Sequence, residues 1–428
     1  MARTLRISAL QLAAHDRDAF ATHRERILTA VARAAASCDL LVLPEATFPA
    51  YVLGDSAIDD GAVQSALRAL RDIARDAACT IVVGIALRRD GVLYNSAVAI
   101  DRDGSLAGTA DKAFLWHFDR KWFAPAESLA PVRTSIGNLG LLICADGRMP
   151  AIARALVDGG AEILVMPTAW VTSGRDPSSL ENVQADLLGR VRAFENNVIL
   201  VAANKSGVER GMVAYCGKSQ IIASDGTELA MAGDRGEGLI HASVQLVRPN
   251  PFRCEPPDLI GVSESGTARS IRVAISIDPL PSDIDARLAI LDAEVALAPD
   301  GSRGIDRLND VSPTISTSAE RAFDPEALLR ARRAGARIVL LDAKQSHPWL
   351  EKLARARALE LRIYVIVFDR ANRRAYAVDP DGTIVAGTFD DYAIAGFSLD
   401  ARRTSETTVA PGTDVAIGIE RIESLKRS

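Results

Sequence analysis

Long apolar runs are missing from this chain. No stretch approaches the ~18 consecutive apolar residues of a membrane-spanning helix, so no span is expected. The apolar opening of MARTLRISALQLAAHDRD is soon interrupted by charge and reads as a strand, not as a signal peptide. Cysteines are scarce: the chain has 5, at positions 38, 79, 144, 216 and 254, odd in number and scattered. That argues against a disulfide framework and suits free thiols in a reducing, cytoplasmic compartment. Histidines are as few, and none of His15, His23, His117, His241 and His347 stands at metal-ligand spacing from a cysteine or another histidine. No zinc site or other cofactor is therefore expected. Excess positive charge is also lacking. The formal net charge of -5 leaves no basic footprint for nucleic acid or an anionic membrane.

What remains is the composition of a globular protein, 48% hydrophobic and 25% charged, in a chain of 428 residues that is too long for one ordinary core. Two domains are the prior. Residues 1–248 alternate short runs rich in Val, Ile and Leu (DLLVLPEA, TIVVGIAL, NLGLLIC, AEILVMPTA, NNVILVAAN) with amphipathic stretches such as RDAFATHRERILTAVARAAA. Runs with few polar interruptions indicate strands buried on both faces, and strands alternating with helices indicate a layered α/β fold. Residues 249–270 are rich in Pro, Gly and polar residues and read as a linker.

Residues 271–428 read as a shortened repeat of the first half. RVAISID from Arg272 echoes RISALQL from Arg6, ALAPDG from Ala296 echoes LVLPEA, GARIVLLDA from Gly335 echoes GAEILVMPT from Gly160, and RALELRIYVIV from Arg357 echoes RAFENNVILVA from Arg192. The order is preserved, which favours duplication over the alternative that any two α/β segments share such strings. Carrying the alignment back from Gly335 places Ala319 opposite Cys144 and Pro325 opposite Pro150; the ALAPDG echo sets Asp300 against Glu45, and no lysine motif remains. The second half is expected to be degenerate and without chemistry.

Three residues of the first half stand at or just beyond strand ends, where functional side chains collect in layered α/β folds: Glu45, Lys112 and Cys144. A thiol needs a base, which a carboxylate supplies, and a tetrahedral intermediate needs cationic or N–H donors for its oxygen. Singly each residue has a bland reading. A cysteine ending an apolar strand is usually a small buried hydrophobe, and a lone lysine is usually solvated. Jointly they form a kit for attack on an amide or nitrile carbon.

The joint pattern resembles the nitrilase, or carbon–nitrogen hydrolase, superfamily. The motifs are LPEATFPAY with Glu45, DKAFLWHFDRKWFAPAE with Lys112, LLICADGRMPAIARAL with Cys144, and the closing segments RAFENNVILVAANKSG and CGKSQIIASDGTELA, five in order from about Arg3 to Leu246. The resemblance implies a four-layer αββα sandwich followed by a shortened, degenerate αββα-like copy. It implies Glu45 as general base, Lys112 and the backbone N–H of Ala145 as oxyanion donors, and Cys144 as a nucleophile that carries the acyl group as a thioester. The helix beginning near Met149 should lower the thiol pKa. Two departures matter. Where many relatives carry a second glutamate after the lysine, this chain offers Asp119. Where many carry a histidine two residues after the lysine, it has Phe114. Thr168 and Trp170, after the following strand, and Trp116 are expected to line the substrate pocket, with core packing the alternative for both tryptophans. Asp146 and Arg148 read as a charge pair near the helix start, and Glu195, with its counterpart Glu360, as scaffold.

Family members pair two sandwiches face to face, so the second half is expected to imitate such a partner as an intramolecular pseudo-dimer, with further homo-oligomers open. The expected substrate is a small amide or N-carbamoyl compound, towards which HFDRKWFAPAE leans. A nitrile is the runner-up, and a non-catalytic binding or scaffold protein is the competitor from another class.

Overall fold

The computed structural model describes residues 3–55, 57–172, 180–255, 257, 269–388 and 394–427, which fall into two compact units. Unit 1 comprises Met1–Pro251 with Ala410–Ser428, and unit 2 comprises Phe252–Val409.

Unit 1 runs, in chain order, through β1 (Thr4–Ala13), α1 (Phe20–Ala35), β2 (Leu40–Val42), α2 (Asp60–Ala77), β3 (Thr80–Arg89), β4 (Val92–Ile100), β5 (Leu106–Asp111), β6 (Val132–Thr134), β7 (Gly137–Leu141), α3 (Pro150–Asp158), β8 (Ile163–Pro167), α4 (Gly189–Asn196), β9 (Ile199–Ala203), β10 (Lys205–Glu209), β11 (Val213–Cys216), β12 (Gln220–Ile222), β13 (Glu228–Met231) and β14 (Gly238–Gln245). The helices follow the 3.6-residue period. In α2 the buried positions are Val63, Ala66, Leu67, Leu70 and Ala74, the Asp59 side chain accepts the Ala62 N–H at the start, and Ala78 in the left-handed region ends it.

One sheet has the order β11-β10-β1-β2-β3-β4-β5, with β14 antiparallel to β1, and the other has the order β13-β12-β9-β8-β7-β6. β1, β2 and β3 run parallel, as do β7, β8 and β9. α1 and α2 cover the first sheet through a core that includes Ile27, Val31, Leu67, Leu70, Leu41 and Ile81. α3 and α4 cover the second, and the inner faces meet where β1, β2 and β3 lie against β8, β9 and β12. The result is the four-layer αββα sandwich. All five cysteines are free thiols.

Unit 2 contains β15 (Ser270–Ser276), α5 (Ile284–Ile290), β16 (Val295–Ala298), β17 (Gly301–Arg303), α6 (Ile305–Val311), β18 (Thr314–Ser318), α7 (Pro325–Arg333), β19 (Ile338–Ala343), α8 (Leu350–Leu361), β20 (Tyr364–Asp369), β21 (Arg374–Val378), β22 (Ile384–Gly387) and β23 (Ile394–Asp400). Its sheets have the orders β17-β16-β15-β23 and β18-β19-β20-β21-β22. The pairing repeats that of unit 1 in register. Ile7 stands beside Leu40 as Val273 stands beside Val295. Leu139 pairs with Ile163, and Ile163 with Ile199, as Thr314 pairs with Ile338 and Ile338 with Tyr364. Pro150 and Pro325 both open helices that follow a short 3₁₀ turn. The buried pairs Arg192–Glu195 and Arg357–Glu360 occupy matching helices, consistent with a scaffold part for Glu195 and Glu360.

One boundary differs from the sequence reading. Residues 410–428 were expected with the second half, yet they belong to unit 1, where α9 (Val415–Arg427) packs against α3. The reason is local: Ile422 is buried and Gly418 lies against the Phe114 ring.

Candidate functional site

The site grows from the ends of β2, β5 and β7. β2 is buried throughout, and beyond it the chain turns inward, with the Leu43 N–H donating to Val82 O and the Glu45 N–H to Thr168 O. This turn needs Gly84. A Cβ there would stand 2.4 Å from Glu45 Cα, inside any allowed contact. Lys112 directly follows β5, and its N–H donates to Asn95 O. The 3₁₀ turn His117–Lys121 presents Asp119, whose carboxylate accepts the Trp116 N–H at 2.9 Å and the Tyr51 hydroxyl at 3.0 Å. Cys144 opens another 3₁₀ turn, Cys144–Arg148, with φ at +48°, a left-handed conformation that a side-chain-bearing residue holds only when its surroundings enforce it.

These segments meet in one buried network. Lys112 Nζ lies 2.7 Å from Glu45 Oε1 and 2.6 Å from Asp119 Oδ2, with all three side chains fully buried. Asn95 Nδ2 donates to the same Glu45 Oε1 at 2.7 Å, and Glu45 Oε2 has no hydrogen-bond partner among the described residues. Burial opposes the Lys112 charge, but the carboxylates of Asp119 and Glu45 outweigh it and hold its pKa well above the ordinary value. Asp119 thus takes the expected place beside the lysine despite its shorter side chain.

Cys144 is buried within the field of these charges. Burial pushes its thiol up, the Glu45 carboxylate adds to this, and the Lys112 ammonium, the Thr168 hydroxyl and the Ala169 amide pull the other way without prevailing. This corrects the expected lowering. The helix α3 starts only at Pro150, beyond the 3₁₀ turn that Cys144 opens, and burial is the largest influence on the thiol. A thiol held up in this way needs a base at the moment of attack. Ala145 is buried directly after it.

Asp146 also differs from the expected charge pair. Its carboxylate accepts the N–H groups of Ile143, Ala113 and Phe114 at 3.0, 3.1 and 2.7 Å, tying the cysteine turn to the residues after Lys112. Burial outweighs those bonds and pushes its pKa up to about 7. The Arg148 guanidinium lies 5.0 Å over the Trp116 ring.

Of the expected pocket residues, Thr168 joins the site, accepting the Glu45 N–H and lying beside the thiol. Trp116 is half-buried. Trp170 is fully buried and its N–H donates to Asn204 Oδ1, while its indole N–H has no acceptor among the described residues. Residues missed in the sequence include Asn95, Tyr51 and a second buried pair. Lys205 Nζ, 3.6 Å from Glu209, donates to Ala46 O at 3.1 Å, and Tyr215 donates to Glu209 at 2.7 Å. Lys205 therefore fixes the carbonyl of Ala46, the residue that follows Glu45. Among the described residues, no group of three or more His, Cys, Asp and Glu side chains could hold a metal ion, and no helix is long and apolar enough to cross a membrane.

With this geometry in view, comparison with known proteins decides the family. The profile of the carbon–nitrogen hydrolases matches residues 6–253 and again 319–401. The chain belongs to the carbon–nitrogen hydrolase family. Among its relatives, an (R)-stereoselective amidase from a Pseudomonas species is 32% identical over 236 residues, 54% of this chain and 81% of that protein. A probable nitrilase of Schizosaccharomyces pombe is 29% identical over 223 residues, 51% of this chain and 79% of that one. An amidase from a Nesterenkonia species, solved as a crystal structure, is 27% identical with a TM-score of 0.51, covering 56% of this chain and 90% of its own. A variant of that amidase carries the acetamide moiety of fluoroacetamide covalently on its active-site cysteine. Activity of the carbon–nitrogen hydrolase type follows at the level of the family.

Proposed function

We infer that unit 1 hydrolyses a small amide or N-carbamoyl compound through a thioester on Cys144. The observation that carries this is a buried thiol set in the field of a Glu45–Lys112–Asp119 network whose side chains are themselves fully buried. Glu45 takes the Sγ proton as sulfur attacks the carbonyl carbon. The developing oxyanion is met by the Lys112 ammonium and the Ala145 N–H. Glu45 returns the proton to the departing nitrogen, which leaves as ammonia or an amine. Water, deprotonated by Glu45, then attacks the thioester, the proton passes to sulfur and the acid leaves. Asp119 holds the lysine charge in place.

The amide reading draws support from the relatives described as amidases and from the acetamide adduct on one of them. The register match and the second profile match at 319–401 support reading unit 2 as a copy without the chemistry. There Ala319 takes the cysteine position, and Asp300, at the Glu45 position, pairs at 2.8 Å with Arg370, which also forks onto Asp342. The test is ammonia release from a panel of amides, N-carbamoyl compounds and nitriles, with intact-mass detection of an acyl adduct. Adduct and turnover on amides that vanish in Cys144→Ala support the reading. Turnover confined to nitriles would replace it, and a folded chain inert to the whole panel would favour a scaffold.

A further inference from the structure

Residues 410–428 touch the lysine loop at three places. Thr413, fully buried, accepts the His117 N–H on Oγ1 at 2.6 Å. His117 opens the turn that carries Asp119 and itself has φ at +49°. Gly418 stands over Phe114, two residues after Lys112. A Cβ on it would lie 2.4 Å from Phe114 Cε2 and 3.3 Å from Met149 Cε, so no side chain fits. A glycine inside a helix costs about 0.5–1 kcal/mol against alanine, so its presence here marks a close approach. Arg421 Nη2 donates to Ala126 O at 2.9 Å, at the far end of the same loop. The helix is anchored in its turn, since Asp414 Oδ1 accepts the N–H groups of Ala416 and Ile417.

These contacts bracket the segment 112–126. Its inner face presents Lys112 and Asp119, and the Asp146 carboxylate links its start to the cysteine turn. A shift of a few tenths of an ångström in this loop moves the ammonium relative to Glu45 and the thiol, and misplacement of that kind is costly to a rate. The peptide at His117 sits in a left-handed conformation and donates its N–H to Thr413, so the turn that aims Asp119 is tied to a hydroxyl about 300 residues away in sequence.

We propose that Thr413 and Gly418 are positioning residues for the reaction, and that residues 410–428 form a strap that holds the Lys112–Ala126 loop in its working geometry. The proposal rests on the functional reading above for its kinetic consequence but not for its structural one. In the full chain, Thr413→Val removes the acceptor at nearly constant shape, Thr413→Ser keeps it, and Gly418→Ala forces the helix off Phe114. Hydrogen exchange of peptides covering 113–126 and steady-state kinetics on the best amide are measured for each. The expected result is at least tenfold faster exchange around His117 and at least a tenfold fall in kcat with KM within twofold in Thr413→Val. Gly418→Ala should show the same direction, and Thr413→Ser should stay near wild type. Unchanged exchange in both disruptive variants overturns the strap, and so does faster exchange with kcat unchanged. If Gly418→Ala does not fold, the valine and serine pair decides alone. A wild type without Cys144-dependent turnover would sink the functional reading instead, and the exchange data would still judge the strap.

Discussion

Glu45→Gln separates two properties that usually travel together, the acidity of a nucleophile and its usefulness. The carboxylate of Glu45 raises the Cys144 thiol pKa, second only to burial. A unit charge a few ångströms from a thiolate, at an effective dielectric of about 20, is worth about 2–4 kcal/mol. Glutamine removes the charge and keeps the shape, while Lys112 retains Asp119 at 2.6 Å. The thiol should therefore become more acidic. Turnover should nevertheless fall by about 10²–10⁴, the ordinary share of a general base. The assay is the pH dependence of Cys144 alkylation by iodoacetamide, followed by intact mass, beside kcat on the best amide. The midpoint of alkylation should move to lower pH in Glu45→Gln as kcat collapses. An unmoved or higher midpoint would refute the electrostatic reading, and an unchanged kcat would remove Glu45 from the chemistry.

Other perturbations follow from the same contacts. Lys112→Met leaves two buried carboxylates without their cation, and should cost about 3–5 kcal/mol in urea unfolding and abolish turnover; wild-type stability would show that the pair is solvated. Gly84→Ala drives a Cβ into the Glu45 backbone. It should destabilise by about 1–3 kcal/mol and lower kcat more than it raises KM, whereas a wild-type kcat would mean that the approach relaxes freely. Asp146 has a folded pKa of about 7 against an ordinary value of 3.8, so the native state binds more protons than the unfolded chain between those limits. Stability should consequently fall as pH rises through that window, by up to about 1.4 kcal/mol per pH unit. Urea midpoints at pH 5 and pH 7 should differ less in Asp146→Asn than in wild type, and equal slopes would assign the titration elsewhere.

The strand-end residues were legible because strand, turn and chemistry occupy one short stretch each. Glu45, Lys112 and Cys144 announce themselves within DLLVLPEA, DKAFLWHF and NLGLLIC, and the sandwich follows from the alternation around them. Their partners were not legible in the same way. Asn95 reaches Glu45 from the middle of β4, and Lys205 reaches Ala46 from β10, so no sequence window contains either pair. The direction of the thiol shift is not legible in the sequence, because a helix start is visible there and desolvation is not. Asp146 resembled a partner for Arg148 because both are charged and close along the chain, yet backbone amides hold it. The placement of residues 410–428 was hidden for a related reason. An amphipathic helix shows which side it buries, not which surface receives it, and Gly418 against Phe114 is a complementarity of shape.

The discontinuous make-up of unit 1 sets an order of events on the ribosome. Residues 3–251 emerge first, and the segment that completes their unit emerges only after all of unit 2. At roughly 5–20 residues per second, the ~160 intervening residues take about 8–30 s to synthesise. During that interval the Phe114 ring, the Thr413-dependent turn and the α3 surface wait uncovered, so a nascent chain stalled within unit 2 holds Glu45, Lys112 and Cys144 without the segment that braces them. Synthesis of residues 410–428 thereby doubles as a checkpoint on the maturity of the site.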